Sequence, residues 1–310
     1  MIKAWLAAAR LRTLPLSVSG IIVGCSLANF STGLLNETVL VQIPRFEKNY
    51  LIFILAILTT IGFQVLSNFA NDYGDGIRGT DEDREGEQRM VASGIISPKQ
   101  MKNAMILTAI ITLLLALGVI YVAFGSENFK YSILFLFLGI AAIIAAVKYT
   151  VGKSAYGYSG LGDIFVFLFF GWLSVVGSYF LYTKSLNFEI FLPATAIGLL
   201  SVAVLNLNNM RDRIKDKAHG KNTLVVKMGS QNAKLYHYAL IIGALACSLL
   251  YVNLQGIHSY KNYIFLIAFV PLIMNMVVVG KNIIHKELDP ELKKVALSTF
   301  LYAILFSIFN

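Results

Sequence analysis

Two short segments carry asparagine and aspartate at spacings that could bind a metal ion. Each has one asparagine followed by two aspartates at intervals of three or four residues: Asn68, Asp72 and Asp75 in the first, and Asn208, Asp212 and Asp216 in the second. Residues three or four positions apart share one face of a helix. Mg²⁺ binds a few carboxylates and keeps other positions for water and phosphate oxygens. If the two faces oppose one another across a cavity, the four aspartates would form an oxygen-lined Mg²⁺ site.

Basic residues accompany both acidic sets. Arg78 and Arg89 follow the first set, and Arg211 and Lys221 lie within or just after the second. Carboxylates, Mg²⁺ and basic side chains around one site can hold a diphosphate, and arginine contributes bidentate contacts. A site for a cation alone would not need so many positive neighbours. These basic residues are therefore predicted to bind a diphosphate.

A run of further acids follows the first set. It consists of Asp81, Glu82, Asp83, Glu85 and Glu87. Because charge runs usually face water, we predict a solvated loop here and assign none of these residues as a metal ligand.

The elements that must position these residues are membrane helices. Of the 310 residues, 57% are hydrophobic and only 14% are charged, whereas soluble domains carry roughly a quarter charged residues. We predict an all-α, polytopic membrane protein with nine transmembrane helices around a central cavity that opens to the cytoplasmic side. One domain would cover residues 1–310, with Asp-rich cytoplasmic loops near 68–100 and 207–233. The predicted spans lie near 14–35, 50–71, 101–124, 131–147, 161–182, 188–206, 234–255, 261–280 and 293–309.

The distribution of basic residues predicts the orientation. With the N-terminus inside, 21 of the 26 Lys and Arg residues lie on the cytoplasmic side, as the positive-inside rule requires. The C-terminus is then outside, in a bacterial plasma (inner) membrane. The net charge of +9 follows one membrane face, so membrane lipids or an anionic substrate are expected partners, and nucleic acid is not.

The two acidic sets also suggest an internal repeat. Both follow spans that descend to the cytoplasm, the second and the sixth, which are four spans apart. This spacing is consistent with a four-helix unit used twice, plus one extra helix.

These motifs resemble those of the UbiA superfamily of intramembrane aromatic prenyltransferases, and the resemblance covers essentially the whole chain. "NDYGD" is similar to the first Asp-rich motif of that family, and "RDRIKD" followed by "GKNTL" is similar to the second. Three stretches are most similar to the 1,4-dihydroxy-2-naphthoate polyprenyltransferase branch of menaquinone biosynthesis: "RLRTLPLSVSG", "ANDYGDGIRGTD" with "RMVASG", and "YGYSGLGD".

The resemblance implies a Mg²⁺-dependent transfer of a polyprenyl group. The four aspartates would hold Mg²⁺ on the polyprenyl diphosphate, and Asn68, Asn71 and Asn208 would add donors to the diphosphate beside the basic residues. The allylic C–O bond would ionise, and the ring of 1,4-dihydroxy-2-naphthoate would attack and lose its carboxylate as CO2. Water must be excluded, because it would quench the cation.

Some candidates near the acceptor or the cation have an equally ordinary alternative. Tyr149, Tyr156 and Lys148 follow the fourth span, where they could face the cation or belong to an interfacial aromatic belt. Arg12 could bind the acceptor carboxylate or serve as a positive-inside anchor. Asp163 could be a site residue or a charge favoured at a helix start.

Two other functions compete with this prediction. One is prenyl transfer to a different aromatic acceptor, such as 4-hydroxybenzoate. The other is divalent-cation transport, which would place ionisable groups near the bilayer midplane. Spans seven to nine have apolar interiors and the acids cluster at span ends, so the sequence favours the enzyme.

Overall fold

The computed structural model describes residues 1–31, 43–79, 89–152, 154–256 and 259–310, and within these ranges it is helical, with no strand. Nine helical segments of the described chain are long and apolar enough to cross a membrane, in agreement with the nine predicted spans. The eleven α-helices are α1 (Ile2–Ala9), α2 (Leu14–Ser31), α3 (Ile43–Arg78), α4 (Pro98–Phe124), α5 (Phe129–Lys148), α6 (Gly162–Val166), α7 (Ser174–Thr183), α8 (Phe191–Ala218), α9 (Leu224–Leu254), α10 (Phe269–Lys281) and α11 (Asp289–Phe309).

Short non-α turns join or extend several helices. A π-helical segment, Phe167–Leu173, connects α6 to α7 within one span, and a 3-10 segment, Tyr260–Ala268, leads into α10. A separate 3-10 turn, Leu11–Thr13, follows α1. The chain breaks there because Arg10 adopts a left-handed conformation (φ 48°, ψ 58°) and ends α1.

Local sequence explains where α4 begins. Ser97 accepts from the backbone N–H of Gln100 (3.3 Å), and the Gln100 side chain accepts from the backbone N–H of Ser97 (2.9 Å). This capping box satisfies amides that the first helical turn leaves without partners. Pro98 occupies the first helical position, where its missing N–H costs nothing.

Small residues allow α2 and α7 to pack closely. A Cβ atom on Gly20 would lie 1.9 Å from Oγ of Ser174, and one on Gly24 would lie 2.1 Å from Oγ of Ser178. Glycine is therefore required at both positions, because any side chain would force the helices apart. Close backbone approach between small residues is the usual way in which helices associate in lipid.

The helices that carry the acidic sets extend further than the sequence predicts. α3 continues to Arg78 and α8 to Ala218, so both sets lie on the last turns of helices rather than in loops. We call this end of the bundle the motif end. The acid run 81–87 lies outside the described residues, and the predicted membrane orientation stays a prediction.

Candidate functional site

The first acidic set anchors the chain that returns to it. Asp72 on α3 is buried, and its two carboxylate oxygens accept the backbone N–H groups of Val91 (2.9 Å) and Met90 (3.1 Å). Two neutral donors thus fix the segment that follows residues 80–88. Each oxygen still has a second lone pair that could bind a metal.

Asp75 is held by a tyrosine from another part of the chain. The Tyr158 hydroxyl, in the loop between α5 and α6, donates to Oδ1 of Asp75 (2.7 Å). The guanidinium carbon of Arg78 lies 4.0 Å from the centre of the same ring, which is a cation–π contact. Gly74 lets this loop approach α3, because a Cβ atom there would lie 2.8 Å from the Thr150 carbonyl oxygen.

The second acidic set is organised around Arg211. Its Nε and Nη2 donate to the two oxygens of Asp212 (2.8 and 2.7 Å), which is a bidentate ion pair. Nη2 also donates to Oδ1 of Asn208 (2.9 Å), and Nη1 donates to Oδ1 of Asp289 at the start of α11 (2.5 Å). The Arg211 side chain is only 5% exposed. One guanidinium thus serves two carboxylates and an amide.

Tyr158 and Lys221 connect the two acidic sets. Nζ of Lys221 lies 3.7 Å from Oδ1 of Asp216 and 5.3 Å from the centre of the Tyr158 ring. Tyr158 in turn contacts Asp75, and its carbonyl oxygen accepts from the backbone N–H of Asn222 (3.0 Å). The fold therefore brings the ends of α3 and α8 to one place. Tyr158 was not among the candidates predicted from the sequence, although it lies within the stretch "YGYSGLGD".

Asn68 of the first set and the nearby Asn71 have structural partners. Asn68 donates to the Ala9 carbonyl (2.8 Å) and to Oγ1 of Thr13 (3.1 Å), so it ties the break between α1 and α2 to α3. Asn71 accepts from the Thr150 hydroxyl (3.3 Å). Both asparagines also line a cavity, where they are available to a bound molecule.

This cavity is an apolar chamber of about 340 Å³, and its polar end lies at Asn68 and Asn71 of α3. It follows α3 from Asn71 to Ala56, which is about 22 Å at 1.5 Å per helical residue. Near its other end it is lined by Val119, Ile120 and Leu181. Gln64, Asn68 and Asn71 form a polar cluster at one end, and the lining beyond them is mostly apolar. This shape fits a molecule with a polar head and a hydrocarbon tail.

Aromatic rings line the chamber next to the polar cluster. The rings of Tyr149 and Tyr156 meet edge to face with centroids 5.3 Å apart, and the ring of Tyr156 stacks on that of Phe165 at 4.0 Å. Burial raises the pKa of the Tyr149 phenol well above its ordinary value, and the charges of Asp163 and Asp75 add to this effect. Burial followed by the charge of Tyr149 likewise raises the pKa of Tyr156. Both hydroxyls are therefore neutral at physiological pH.

The remaining predicted residues differ in burial. Asp163 is buried and interacts with Tyr236 of α9, whereas Arg12 and Lys148 are exposed. Arg89 is buried and precedes the segment that Asp72 anchors. Arg12 lies in the turn whose Thr13 contacts the first acidic set.

The donor chemistry of the two sets fits Mg²⁺. Carboxylate and amide oxygens are the hard ligands that this ion prefers, and all of these residues lie at the motif end. Within the described ranges, no three His, Cys, Asp or Glu residues are close enough to hold a metal together. The carboxylates instead contact backbone amides, a tyrosine, an arginine and a lysine, so binding an ion would replace or add to these contacts.

Comparison with known proteins decides the family. The model of the UbiA prenyltransferase family matches residues 38–304. The chain belongs to this family. As a UbiA prenyltransferase it is an enzyme, and divalent-cation transport has no support.

Curated UbiA relatives are similar over most of the chain. A 1,4-dihydroxy-2-naphthoate octaprenyltransferase of Escherichia coli is 43% identical over 93% of this chain and 87% of its own length. One of Haemophilus influenzae is 41% identical over 99% of this chain and 95% of its own length.

Solved UbiA structures confirm the fold. A UbiA homologue from Archaeoglobus fulgidus bound to GPP and Mg²⁺ superposes with a TM-score of 0.63 at 13% identity, covering 98% of this chain and 99% of that one. The all-α, nine-helix prediction is thereby confirmed, and at this identity the likeness concerns the fold alone.

Proposed function

We propose that the chain transfers a polyprenyl group from a polyprenyl diphosphate to 1,4-dihydroxy-2-naphthoate in a bacterial inner membrane. The observation that carries this proposal is the long apolar chamber, which reaches Asn68 and Asn71 on the part of α3 that also carries Asp72 and Asp75. Relatives of that name, 41–43% identical over most of the chain, support the choice of acceptor.

The residues of the two acidic sets would bind the diphosphate head. Asp72, Asp75, Asp212 and Asp216 would hold Mg²⁺, which when bound supplies the charge that stabilises a leaving diphosphate. Lys221 lies beside the second set and donates as a mobile point charge. Arg78 stands over the Tyr158 ring at the edge of the first set, where it can reach the same head group.

The apolar chamber would bind the polyprenyl chain and exclude water. The rings of Tyr149, Tyr156 and Phe165 line the chamber, and the first allylic carbons would sit against them. Aromatic faces attract positive charge, so they stabilise the allylic cation as the bond to diphosphate breaks. The same apolar lining keeps out the water that would quench it.

The acceptor would approach from the polar end of the chamber. Its ring carbon bonds to C1 of the prenyl group, and its carboxylate leaves as CO2 while diphosphate is released. Arg12 and Lys148 are proposed to attract the acceptor carboxylate, since both are exposed cations at the motif end. Asp163 is proposed to face the acceptor from its buried position.

Product analysis tests this proposal directly. The full chain in detergent would receive octaprenyl diphosphate with either 1,4-dihydroxy-2-naphthoate or 4-hydroxybenzoate, with Mg²⁺ or with EDTA. We expect a prenylated naphthoquinol lacking the carboxylate, detected by mass spectrometry only with Mg²⁺. A product formed only from 4-hydroxybenzoate would overturn the acceptor assignment, and no product from either would overturn the reaction.

A further inference from the structure

Asp289 lies outside both acidic sets but contacts the centre of one of them. It is the first residue of α11, and its Oδ1 accepts from Nη1 of Arg211 (2.5 Å). The Asp289 side chain is 38% exposed, whereas that of Arg211 is 5% exposed. A carboxylate from the last helix thus reaches a nearly buried guanidinium of the second motif.

The contacts of Arg211 divide between its two edges. The edge formed by Nε and Nη2 holds both oxygens of Asp212. Nη1, at another edge of the same planar group, donates to Asp289, and Nη2 also donates to Asn208. A planar guanidinium held by Asp289 and Asn208 keeps its orientation even when Asp212 leaves, because each of these partners contacts a different nitrogen.

The edge that Asp212 occupies is also the edge that suits a phosphate. Nε and Nη2 present two parallel N–H donors, which match the two oxygens of either a carboxylate or a phosphate group. Asp212 therefore fills the place that a diphosphate would take. If Asp212 turned to a metal ion, this edge would become available to the diphosphate that the ion accompanies.

We propose that Asp289 is a positioning residue that holds Arg211 so that its Nε–Nη2 edge exchanges the Asp212 carboxylate for substrate diphosphate. The inference rests on the proposed function in taking the second motif as a diphosphate site. Without Asp289, the only carboxylate left to Arg211 among these contacts is Asp212, and the exchange becomes unfavourable.

The test measures binding of Mn²⁺ in the presence of inorganic diphosphate, by electron paramagnetic resonance on the full chain in detergent. Asp289→Asn should weaken binding about tenfold, a typical coupling between residues in one ion-pair network. Asp289→Glu should restore most of the affinity. Glu287→Gln is the matched control: this exposed residue lies two positions earlier, so it loses the same charge and should bind as the wild type does.

A double-mutant cycle identifies the route of the effect. Arg211→Lys keeps the positive charge but removes the guanidinium group with its paired N–H donors. In this background, Asp289→Asn should cause little further loss of Mn²⁺ affinity, because Asp289 acts through Arg211. Additive losses would overturn the proposal. So would an Asp289→Asn variant with a lower unfolding temperature and wild-type Mn²⁺ affinity, since that result describes a purely structural ion pair.

The outcomes also separate this inference from the proposed function. If the wild type shows no diphosphate-dependent Mn²⁺ binding, the metal–diphosphate site itself is refuted and the inference with it. If the wild type binds and Asp289→Asn binds equally well, only the role of Asp289 is refuted. If Glu287→Gln lost as much Mn²⁺ affinity as Asp289→Asn, the loss would follow from the change in net charge alone. That result would also overturn the proposal.

Discussion

The ends of α3 and α8 carry similar sequences in different environments. In the first motif, the carboxylates accept from neutral donors: backbone amides donate to Asp72 and a tyrosine hydroxyl donates to Asp75. In the second motif, cations hold them: Arg211 binds Asp212 and Lys221 lies beside Asp216. Neutral donors stabilise a carboxylate without cancelling its charge, whereas an ion pair cancels it.

From this difference we infer different tasks for the two motifs. Asp72, whose two donors are backbone amides, keeps its charge and would attract a divalent ion. Arg211 and Lys221 lie beside the carboxylates of the second motif and would donate to a diphosphate once these pairs open. A repeat in sequence thus positions similar residues but does not give them equal electrostatics.

Removing one carboxylate from either motif should have the largest effect. Asp75→Asn and Asp216→Asn should each lower turnover on the order of 10²–10³-fold, the cost of losing one charge-stabilising group in an active site. The measurement is product formation by mass spectrometry at equal amounts of folded protein. Glu127→Gln, which changes an exposed residue between α4 and α5 at the opposite end, should keep full activity. A folded Asp216→Asn enzyme with unchanged turnover would exclude the second motif from the reaction.

The two motifs should differ in how much one substituted aspartate destabilises the folded protein. The Asp72 carboxylate accepts hydrogen bonds from two backbone N–H groups. In Asp72→Asn, the amide NH2 would face one of these donors, and this loss should lower the free energy of unfolding by about 1–3 kcal/mol. Asp212→Asn should cost less, because Arg211 keeps Asp289 and Asn208.

Thermal unfolding of both variants in detergent without metal checks this difference. Equal unfolding temperatures would contradict the claim that backbone amides, rather than side-chain cations, hold the first motif. The comparison is independent of catalysis, because no substrate is present.

Tyr158 offers a smaller perturbation of the link between the motifs. Tyr158→Phe removes the hydrogen bond to Asp75 but keeps the ring beside Arg78 and Lys221. We expect about a tenfold loss of turnover, as for other partners that orient a ligand. Tyr158→Ala should lose more, since the ring is then absent as well. Steady-state assays of both variants would show whether the hydroxyl or the ring matters; equal losses would assign the effect to the hydroxyl alone.

The sequence predicts those features of the molecule that depend on local pattern. Apolar runs near 20 residues locate the nine spans, and spacings of three and four residues place each acidic set on one helix face. The break at Arg10 and the π-helical segment Phe167–Leu173 were not predicted. The π-helical segment packs against α8, where a Cβ atom on Gly171 would lie 2.7 Å from the Ala194 carbonyl oxygen, and such a contact is not visible in the local sequence.

Contacts between distant segments could not be predicted from the sequence either. The pairing of Arg211 with Asp289 joins residues 78 positions apart, and that of Tyr158 with Asp75 joins residues 83 positions apart. The residues around each member of these pairs do not indicate which distant residue it contacts. Asn68 illustrates the same limit: its spacing suggests a diphosphate donor, yet its side chain also ties α1 to α3. The roles proposed for individual site residues therefore rest on proximity and chemistry, and they stay predictions.

The smallest effect concerns a phenol that responds to both motifs. Burial, then the charges of Asp163, Asp75 and Asp216, raises the pKa of Tyr149, while an unfolded tyrosine titrates near 10. In alkaline solution the unfolded chain therefore loses this proton before the folded protein does, and the free energy of unfolding falls as pH rises above about 10. Tyr149→Phe should show no difference in the pH dependence of unfolding between pH 7 and 9, and a shallower alkaline decline above pH 10. Tyr260→Phe, at a residue that is 79% exposed, should follow the wild type throughout. If Tyr149→Phe also followed the wild type above pH 10, the pKa of Tyr149 would not be raised in the folded protein, and burial beside the carboxylates of both motifs would not shift it.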